Sequence, residues 1–124
     1  MKNRTQDYLL IWYPKCSTCQ KAKRWLEQKE ILFQERHIVE ENPTEEELKK
    51  WIKVSQKEIK KWFNTSGLKY KQLNLKEKLD SMKEEEKIKL LASDGMLIKR
   101  PILINEKFVL NGFKEAEWEK YLTK

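Results

Sequence analysis

The chain is poor in cysteine, histidine, glycine and proline, and the scarcity of cysteine and histidine excludes several classes of protein. Its 124 residues include two cysteines, one histidine, three glycines and three prolines. Two cysteines are too few for a small secreted scaffold held by several disulfides, and a reducing cytosol disfavours a lasting structural bridge. Together with His37 they also fall short of the roughly four ligands that a structural zinc ion needs. We therefore expect no bound metal and only a transient disulfide, and we assign His37 no role.

Long apolar runs and flexible linkers are also missing. The apolar run nearest the N-terminus, Leu9–Tyr13, spans five residues, which is too short for a signal-peptide core or a membrane span. No segment rich in proline, glycine or serine divides the chain, and no long exposed apolar stripe requires a partner. We therefore expect one domain over residues 1–124, a cytoplasmic location, no membrane association and a monomeric state.

Charge is abundant but mixed in sign. Lysine and arginine number 27 and aspartate and glutamate 20, which gives a formal net charge of +7. The basic residues are spread along the chain and alternate with glutamates, a pattern typical of a solvated surface rather than of a nucleic-acid-binding stripe. We therefore expect no direct binding of DNA.

The N-terminal part of the chain predicts a strand, a helix and a second strand. Tyr8–Tyr13 has the length and aromatic content of a buried strand, and Pro14 ends it. The helix that follows carries apolar residues at positions i, i+3, i+6 and i+7, which form one stripe. These residues are Cys19, Ala22, Trp25 and Leu26. With Ile31–Ile38 as the second strand, this part is a βαβ unit of the kind that builds a parallel pair.

The middle of the chain predicts a block of successive helices. Thr44 with Glu47, and Ser81 with Glu84, are spaced as capping boxes at two helix N-termini. Gly67 is expected to end a helical segment in the left-handed conformation. Tryptophans at helical spacing in this block indicate helix packing rather than a ligand site.

The C-terminal part returns to strands. Pro101–Ile104 and Lys107–Leu110, joined by a short turn at Asn105–Glu106, predict a hairpin. Asn111–Gly112 is expected to turn the chain into a last amphipathic helix. The apolar face of that helix is predicted to consist of Trp118, Tyr121 and Leu122. The order of elements is therefore βαβ, helical block and ββα, which is an α/β fold.

Cys16-Ser17-Thr18-Cys19 lies where the first strand gives way to the helix. Cysteines at this spacing have β-carbons about 5–6 Å apart, so small adjustments let the sulfurs bond. Cys16 falls at the helix N-terminus, where unpaired N–H groups and the helix dipole stabilise a thiolate, and Lys15 adds positive potential. We predict that Cys16 is the nucleophile and that buried Cys19 resolves a mixed disulfide on it.

Spacing alone leaves another interpretation of this pair open. Two cysteines three positions apart also occur in redox-inert proteins that keep a fold for binding partners. The strand–loop–helix context makes the redox interpretation more specific than a bare C-x-x-C pattern. An unreactive Cys16 would indicate the inert interpretation.

Two segments, together with the helical block, resemble a known family. Tyr13-Pro14-Lys15-Cys16-Ser17-Thr18-Cys19 and Lys99-Arg100-Pro101-Ile102 are similar to motifs of the arsenate-reductase-like (ArsC/Spx) family of thioredoxin-fold proteins. The resemblance covers nearly the whole chain. It implies a thioredoxin-like, or glutaredoxin-like, four-stranded mixed sheet with the helical block inserted over about residues 42–95.

The resemblance also implies roles for individual residues. In that family the first loop cysteine is the redox-active nucleophile, the arginine before the proline faces it, and the proline is cis. Here these positions are Cys16, Arg100 and Pro101. An arginine near the thiolate offers a rigid fork of donors to an oxyanion or to a carboxylate-bearing thiol such as glutathione. The residues expected to contact the substrate are Lys15, Ser17, Thr18, Arg100 and Pro101.

These roles imply an oxidoreductase that acts on a thiol or disulfide substrate. We expect no bound cofactor. The cycle would be completed by an external thiol reductant, which is glutathione with glutaredoxin, thioredoxin or another low-molecular-weight thiol.

Arsenate itself fits this chain poorly as a substrate. Arsenate reductases of the family use two further arginines to hold the oxyanion, whereas this chain has Asn64-Thr65-Ser66 and Asn111-Gly112 near the corresponding places. Each lost charge-assisted hydrogen bond costs about 1.5–3 kcal/mol. Those enzymes also commonly keep a single loop cysteine, whereas Cys19 permits an internal disulfide. We therefore expect an oxidoreductase with another substrate.

A redox-sensing transcriptional regulator is the alternative function. Spx-type regulators share the paired cysteines and bind RNA polymerase through the C-terminal domain of its α subunit. Their binding surface includes a glycine where this chain has Glu58, and a charged side chain there obstructs close approach of a backbone. We also expect no counterpart of the C-terminal extension of such regulators, since the last predicted helix ends near Lys124. The oxidoreductase is therefore the preferred prediction.

Overall fold

The computed structural model describes residues 8–122. The strands are β1 (Leu9–Trp12), β2 (Gln34–His37), β3 (Ile102–Ile104) and β4 (Val109–Asn111). The α-helices are α1 (Ser17–Gln28), α2 (Glu45–Ser55), α3 (Leu68–Gln72), α4 (Leu75–Lys78), α5 (Glu84–Ser93) and α6 (Glu115–Leu122). Short 3₁₀ turns cover Ile59–Trp62, Leu79–Ser81 and Gly95–Leu97. Within this part of the chain no helix is long and apolar enough to cross a membrane.

The strands form one four-stranded sheet in the order β2-β1-β3-β4. β1 and β2 are parallel, whereas β1 with β3 and β3 with β4 are antiparallel. In the central pair Leu9 lies opposite Ile104, and Ile11 lies opposite Ile102. The predicted α/β class and four-stranded mixed sheet are therefore confirmed.

Contacts within the chain divide it into two compact units. One unit comprises Met1–His37 with Arg100–Lys124, and its described part holds the sheet, α1 and α6. The other unit is Ile38–Lys99, which holds α2 to α5. This helical unit corresponds to the predicted insertion and is slightly wider than the expected bounds. The assignment of residues 1–124 to one domain stays a prediction.

The core of the sheet-containing unit is built from apolar side chains of β1, α1, the β3–β4 hairpin and α6. It comprises Leu10, Ala22, Trp25, Leu26, Leu103, Leu110 and Trp118. The buried residues of α1 are the four of the predicted stripe, Cys19 included. Trp118 is fully buried, and its indole N–H donates to the Gly112 carbonyl at 3.0 Å. The packing of α1 therefore fixes the position of the helix start, where Cys16 lies.

The helical unit begins with a capping box at α2, as predicted. The Thr44 hydroxyl accepts a hydrogen bond from the Glu47 backbone N–H at 3.1 Å, and the Glu47 carboxylate accepts one from the Thr44 backbone N–H at 3.0 Å. Farther along, the fully buried Trp62 donates its indole N–H to the Ser55 hydroxyl at 3.2 Å. The tryptophans of this unit pack in its interior, as their spacing indicated.

The second predicted capping box is wrong. α5 begins at Glu84, and the carboxylate of Glu86 accepts a hydrogen bond from the Lys83 backbone N–H at 2.8 Å. Ser81 ends a 3₁₀ turn, and its hydroxyl donates to the Lys78 carbonyl at 3.0 Å. The helix starts later because this turn occupies the residues before it.

Three further local predictions need correction. Gly67 has a φ of −76° rather than a left-handed conformation, because it is the N-terminal capping residue of α3 and does not end a helix. Asn111 belongs to β4, so the turn falls on Gly112, which has a φ of 84°. Tyr121 is 44% exposed, so it lies at the margin of the predicted apolar face, where its ring contacts that of Phe108 with centroids 5.0 Å apart.

Candidate active site

Cys16 lies where the chain leaves β1 and enters α1. It is the N-terminal capping residue of α1, with extended backbone angles of φ −96° and ψ 118°. Its backbone N–H donates to the Tyr13 carbonyl at 3.0 Å, which closes the loop. Its Sγ accepts a hydrogen bond from the Cys19 backbone N–H at 3.4 Å. A backbone N–H directed at a sulfur on a helix N-terminus favours negative charge on that sulfur.

Cys19 lies in the first turn of α1 and has a different environment. Its side chain is fully buried, whereas Cys16 is half-buried, and both are free thiols. Burial, which penalises the charged form, is the main cause that raises the pKa of Cys19 to about 12. A hydrogen bond to Cys16 and the charge on Cys16 raise the pKa further, while the Tyr13 backbone and the charge of Arg100 lower it. Cys19 is therefore a protonated thiol at neutral pH.

Arg100 and Pro101 lie directly before β3, beside the cysteine loop. The Arg100–Pro101 peptide bond is cis, as the resemblance implied. Pro101 is buried, and its carbonyl accepts a hydrogen bond from the Gly112 backbone N–H at 2.7 Å. Ile102, the next residue, pairs with Ile11 of β1. The central strand pair thus holds Arg100 and Pro101 at the end of β1 from which the cysteine loop departs.

The side chain of Arg100 reaches the ring of Tyr13. Its Cζ lies 5.4 Å from the ring centroid, which is within the range of a cation–π contact. The ring of His37, at the end of β2, meets the same Tyr13 ring in a T-shaped arrangement, with centroids 5.6 Å apart. Neither Tyr13 nor His37 was predicted as a site residue.

The predicted loop residues lie on the surface beside Cys16. Lys15, Ser17 and Thr18 are all exposed. The loop is held from behind by Gln20, whose side-chain Nε2 donates to the Pro14 carbonyl at 2.6 Å. The side chains of Lys15, Ser17 and Thr18 are therefore accessible to a substrate, and their roles stay predictions.

The structure brings the three predicted catalytic residues, Cys16, Cys19 and Arg100, into one place in the sheet-containing unit. Their chemical roles stay predictions. Tyr13 was missed, although the β1–β3 register contained a signal. Since Ile11 pairs with Ile102, two more steps along both strands place Tyr13 opposite Arg100.

Among residues 8–122, no three histidine, cysteine, aspartate or glutamate side chains are grouped so that they could hold a metal ion. The chemistry available at the site is that of two thiols, a guanidinium and two aromatic rings.

Comparison with known proteins identifies the family. A family model described as the ArsC family matches residues 11–121. The chain belongs to the ArsC family. Its four-stranded mixed sheet with helices is the α/β architecture that was expected.

Relatives of this ArsC-family protein carry different descriptions. The uncharacterized protein YusI of Bacillus subtilis strain 168 is 55% identical over 109 residues, which are 88% of this chain and 92% of YusI. The regulatory protein MgsR of the same strain is 36% identical over 112 residues, which are 90% of this chain and 87% of MgsR.

Solved structures of the family agree closely with this fold. An ArsC family related protein from Bacteroides fragilis is 55% identical, with a TM-score of 0.91 over 94% of this chain and 98% of that one. A possible arsenate reductase from Streptococcus mutans UA159 is 38% identical, with a TM-score of 0.85 over 97% of this chain and 100% of that one. The descriptions thus include both a regulator and an enzyme.

Asn64 and Asn111, which begin the two segments compared above with arginine-bearing segments, both lie in the described part of the chain. Asn64 is half-buried in the helical unit, and its backbone N–H donates to the Leu97 carbonyl at 2.8 Å. Asn111 is 2% exposed in β4, opposite Ile102. Both side chains are neutral amides, which offer weaker hydrogen bonds to an oxyanion than guanidinium groups do.

Proposed function

We propose that this ArsC-family protein is a thiol–disulfide oxidoreductase in which Cys16 attacks the substrate and Cys19 resolves the intermediate. One observation carries the proposal. The half-buried Cys16 at the N-terminus of α1 accepts, at its Sγ, a hydrogen bond at 3.4 Å from the backbone N–H of Cys19. Cys19 lies one turn later, and its thiol is fully buried. The two sulfurs are thus close together but differ in exposure, which suits the two different steps of thiol–disulfide exchange.

The proposed reaction moves two electrons from the cysteine pair to a disulfide substrate. The Cys16 thiolate attacks one sulfur of the substrate, its S–S bond breaks, and the first thiolate leaves. Cys19 then gives its proton to the departing thiolate and attacks the Cys16 sulfur. The second substrate sulfur leaves as a thiolate, which takes a proton from solvent, and a Cys16–Cys19 disulfide remains. The substrate is reduced to two thiols while the cysteine pair is oxidised.

The pKa of Cys19 supports this order of events. While Cys16 is charged, its charge and its hydrogen bond both raise the pKa of Cys19, which keeps the second thiol protonated. A mixed disulfide on Cys16 removes that charge. Burial then still raises the pKa of Cys19, while the Tyr13 backbone and Arg100 still lower it. Cys19 therefore ionises more readily once the mixed disulfide has formed.

An external thiol would return the pair to the reduced state. The reductant that we propose is glutathione with glutaredoxin, thioredoxin or another low-molecular-weight thiol, and the chemistry calls for no bound cofactor. A reducing cytoplasm is the compartment that keeps such a disulfide transient. The residues proposed to contact the substrate are Lys15, Ser17, Thr18, Arg100 and Pro101.

A redox titration tests the proposal directly. The protein is equilibrated in glutathione buffers of graded potential, and its free thiols are counted by mass spectrometry. We expect one reversible transition in which both thiols are lost together, because the disulfide is internal. A potential near that of thioredoxin, about −270 mV, indicates a reductant, whereas a much less negative value indicates a sensor.

Two variants serve as controls in this titration. Cys16→Ser is expected to show no internal disulfide and little glutathione adduct, whereas Cys19→Ser is expected to carry glutathione on Cys16. Absence of an internal disulfide in the unmodified protein at every potential would exclude the resolving role of Cys19.

The relation to MgsR favours a second candidate function, a redox-sensing regulator that binds the C-terminal domain of the RNA polymerase α subunit. Glu58, which is exposed before the first 3₁₀ turn, puts a charge where such regulators have glycine. We expect the reduced and the oxidised protein alike to show no binding to the purified Bacillus subtilis domain in calorimetry. Binding that depends on the redox state and strengthens in Glu58→Gly would instead support the regulator.

Arsenate is not the substrate in this proposal. Asn64-Thr65-Ser66 and Asn111-Gly112 lie near the places where the resemblance implies two arginines, so binding of a doubly charged oxyanion would lack two charge-assisted partners. We expect no arsenite to form when the protein is incubated with arsenate and either glutathione with glutaredoxin or thioredoxin. Turnover in that assay would restore arsenate reduction as the function.

A further inference from the structure

The ring of Tyr13 contacts a charged residue and a histidine at the candidate active site. The Arg100 Cζ lies 5.4 Å from the centroid of the ring, and the His37 ring meets it in a T-shaped arrangement at 5.6 Å. Tyr13 itself is half-buried. Its ring thus has neighbours on two sides, which limits the positions that it can adopt.

The backbone of Tyr13 is tied to both cysteines. Its carbonyl accepts a hydrogen bond from the Cys16 backbone N–H at 3.0 Å, and its backbone lowers the pKa of the Cys19 thiol. Tyr13 is therefore fixed relative to the sulfurs by its main chain. It is in contact with Arg100 through its side chain.

The sheet explains why these two residues meet. β1 and β3 are antiparallel neighbours in which Leu10 pairs with Leu103 and Ile11 with Ile102. Continuing this register beyond the strand ends places Tyr13 opposite Arg100, on the same face of the sheet as Ile11. The contact is thus a cross-strand pair, set by the same register that orders the sheet.

We infer that Tyr13 is a positioning residue whose ring holds the Arg100 guanidinium beside Cys16. A guanidinium over a ring contacts it through its flat face, so this contact is compatible with hydrogen bonding in the plane of the guanidinium. The inference rests on the proposed function, since it assigns Arg100 to the binding of anionic thiol substrates. Tyr13 acts through Arg100 and takes no part in bond making.

Alkylation of Cys16 by a charged and a neutral reagent tests this inference. In both reactions the Cys16 thiolate displaces iodide, from iodoacetate, an anion, or from iodoacetamide, which is neutral. The second-order rate constant for iodoacetate divided by that for iodoacetamide rises with the positive potential at the sulfur. A change in the fraction of thiolate alters both rate constants equally and therefore cancels in the ratio. Rates are measured on the reduced full chain, with the Cys16 peptide quantified by mass spectrometry.

Removal of the ring is expected to act like removal of the charge. Arg100→Gln should lower the ratio by about threefold, the effect of one unit charge at short range in a water-like dielectric. Tyr13→Met, which keeps apolar volume without a ring, should lower it to the same value. Tyr13→Phe keeps the ring and should keep the ratio of the unmodified protein. In the Arg100→Gln background, Tyr13→Met should change nothing further.

A matched control and a second measurement keep the test decisive. Tyr121→Met removes a ring that packs on Phe108 instead, and it should leave the ratio unchanged. In the unmodified protein, NMR should show the Arg100 side-chain protons shifted upfield by the ring current of Tyr13, so the contact is tested even where a variant unfolds.

The inference is overturned if folded Tyr13→Met keeps the ratio of the unmodified protein, if Arg100→Gln leaves the ratio unchanged, or if the upfield shift is absent. These outcomes are separate from failure of the proposed function. Alkylation uses only the reduced Cys16 thiolate and does not require a Cys16–Cys19 disulfide.

Discussion

The two thiols of this protein owe their different properties to a single turn of helix. Cys16 caps α1 beyond the end of β1 and is half-buried, whereas Cys19 faces the core and is fully buried. Burial raises the pKa of Cys19 to about 12 and the nearby sulfur raises it as well. The half-buried sulfur is therefore the one accessible to a substrate, and the fully buried one retains its proton until the first has reacted.

Substitution of the second thiol should trap the first intermediate. In Cys19→Ser the hydroxyl cannot attack the Cys16 sulfur, so a mixed disulfide with glutathione persists. We expect mass spectrometry after incubation with oxidised glutathione to show one stable adduct on Cys16. The unmodified protein should instead pass to the internal disulfide and release the adduct.

Arg100→Gln in the same Cys19→Ser background offers a matched comparison. This double variant has the same residues at positions 16 and 19 as Cys19→Ser but lacks the positive charge of Arg100. It should form the adduct with anionic glutathione more slowly than Cys19→Ser does. Equal amounts of lasting adduct in Cys19→Ser and in the unmodified protein would contradict the resolving role.

The residues of the site differ in how far sequence could predict them. Cys16 and Cys19 lie in one short motif, so their spacing and helix context placed them correctly. Arg100 is distant in sequence and entered through the resemblance to a family. Tyr13 lies in a segment that carries the resemblance but was given no role there, His37 lies in no motif, and the contact between them depends on how the strands are paired.

At the scale of elements, Gly95 lies so close to the backbone of the helical unit that a residue with a side chain would force that backbone to move. A Cβ on Gly95 would lie 2.8 Å from the carbonyl carbon of Ile38, in the backbone of the same unit. Gly95→Ala should therefore destabilise the protein by about 1–3 kcal/mol, the usual range for overpacking. Urea unfolding followed by circular dichroism measures the loss.

Gly67→Ala is the matched control for this prediction. A Cβ on Gly67 would lie 2.6 Å from Nδ2 of Asn64, the mobile end of a side chain. The φ of −76° at Gly67 is accessible to alanine, so we expect a change within about 0.5 kcal/mol. Similar losses in the two variants would show that the backbone contact at Gly95 does not matter.

The start of α2 provides a second prediction at this scale. Thr44→Ala removes the hydroxyl that accepts the Glu47 N–H at 3.1 Å. Loss of such a cap costs about 0.5–2 kcal/mol, which should appear as a lower urea midpoint with an unchanged slope. Thr65→Ala, at an exposed threonine of the same unit, should shift the midpoint far less. Equal shifts would mean that the cap contributes nothing specific.

Strong local patterns predicted elements well, and weak ones did not. The stripe on α1 was confirmed residue by residue because apolar periodicity over a full-length helix is a clear signal. Ser81 and Glu84 have the spacing of a capping box, but a 3₁₀ turn occupies the residues before α5 and displaces its start. A spacing of three residues alone cannot distinguish these arrangements.

At the scale of the whole molecule, local patterns gave a βαβ unit and a hairpin but not their arrangement. The antiparallel β1–β3 pair joins these two parts into one sheet. Its two strands are separated in sequence by the entire helical unit, so no local period reports their pairing. The resemblance to a family supplied that step, and the same long-range pair explains why the Tyr13 contact with Arg100 was missed.

The raised pKa of Cys19 also makes the stability of the whole chain depend on pH. The ordinary thiol pKa is 9.0, whereas that of the folded protein is about 12. Between these values the unfolded chain releases a proton that the folded chain keeps, so the free energy of unfolding falls as pH rises, by about 1 kcal/mol at pH 10. Below pH 9 this contribution is fully retained.

Urea unfolding at pH 8 and pH 10, with a reductant present, measures this effect in paired variants. The unmodified protein should lose about 1 kcal/mol more than Cys19→Ala between the two pH values, because alanine does not titrate. If Cys19→Ala loses as much stability as the unmodified protein, Cys19 does not stay protonated in the fold, and the order of steps proposed for the two thiols loses its physical basis.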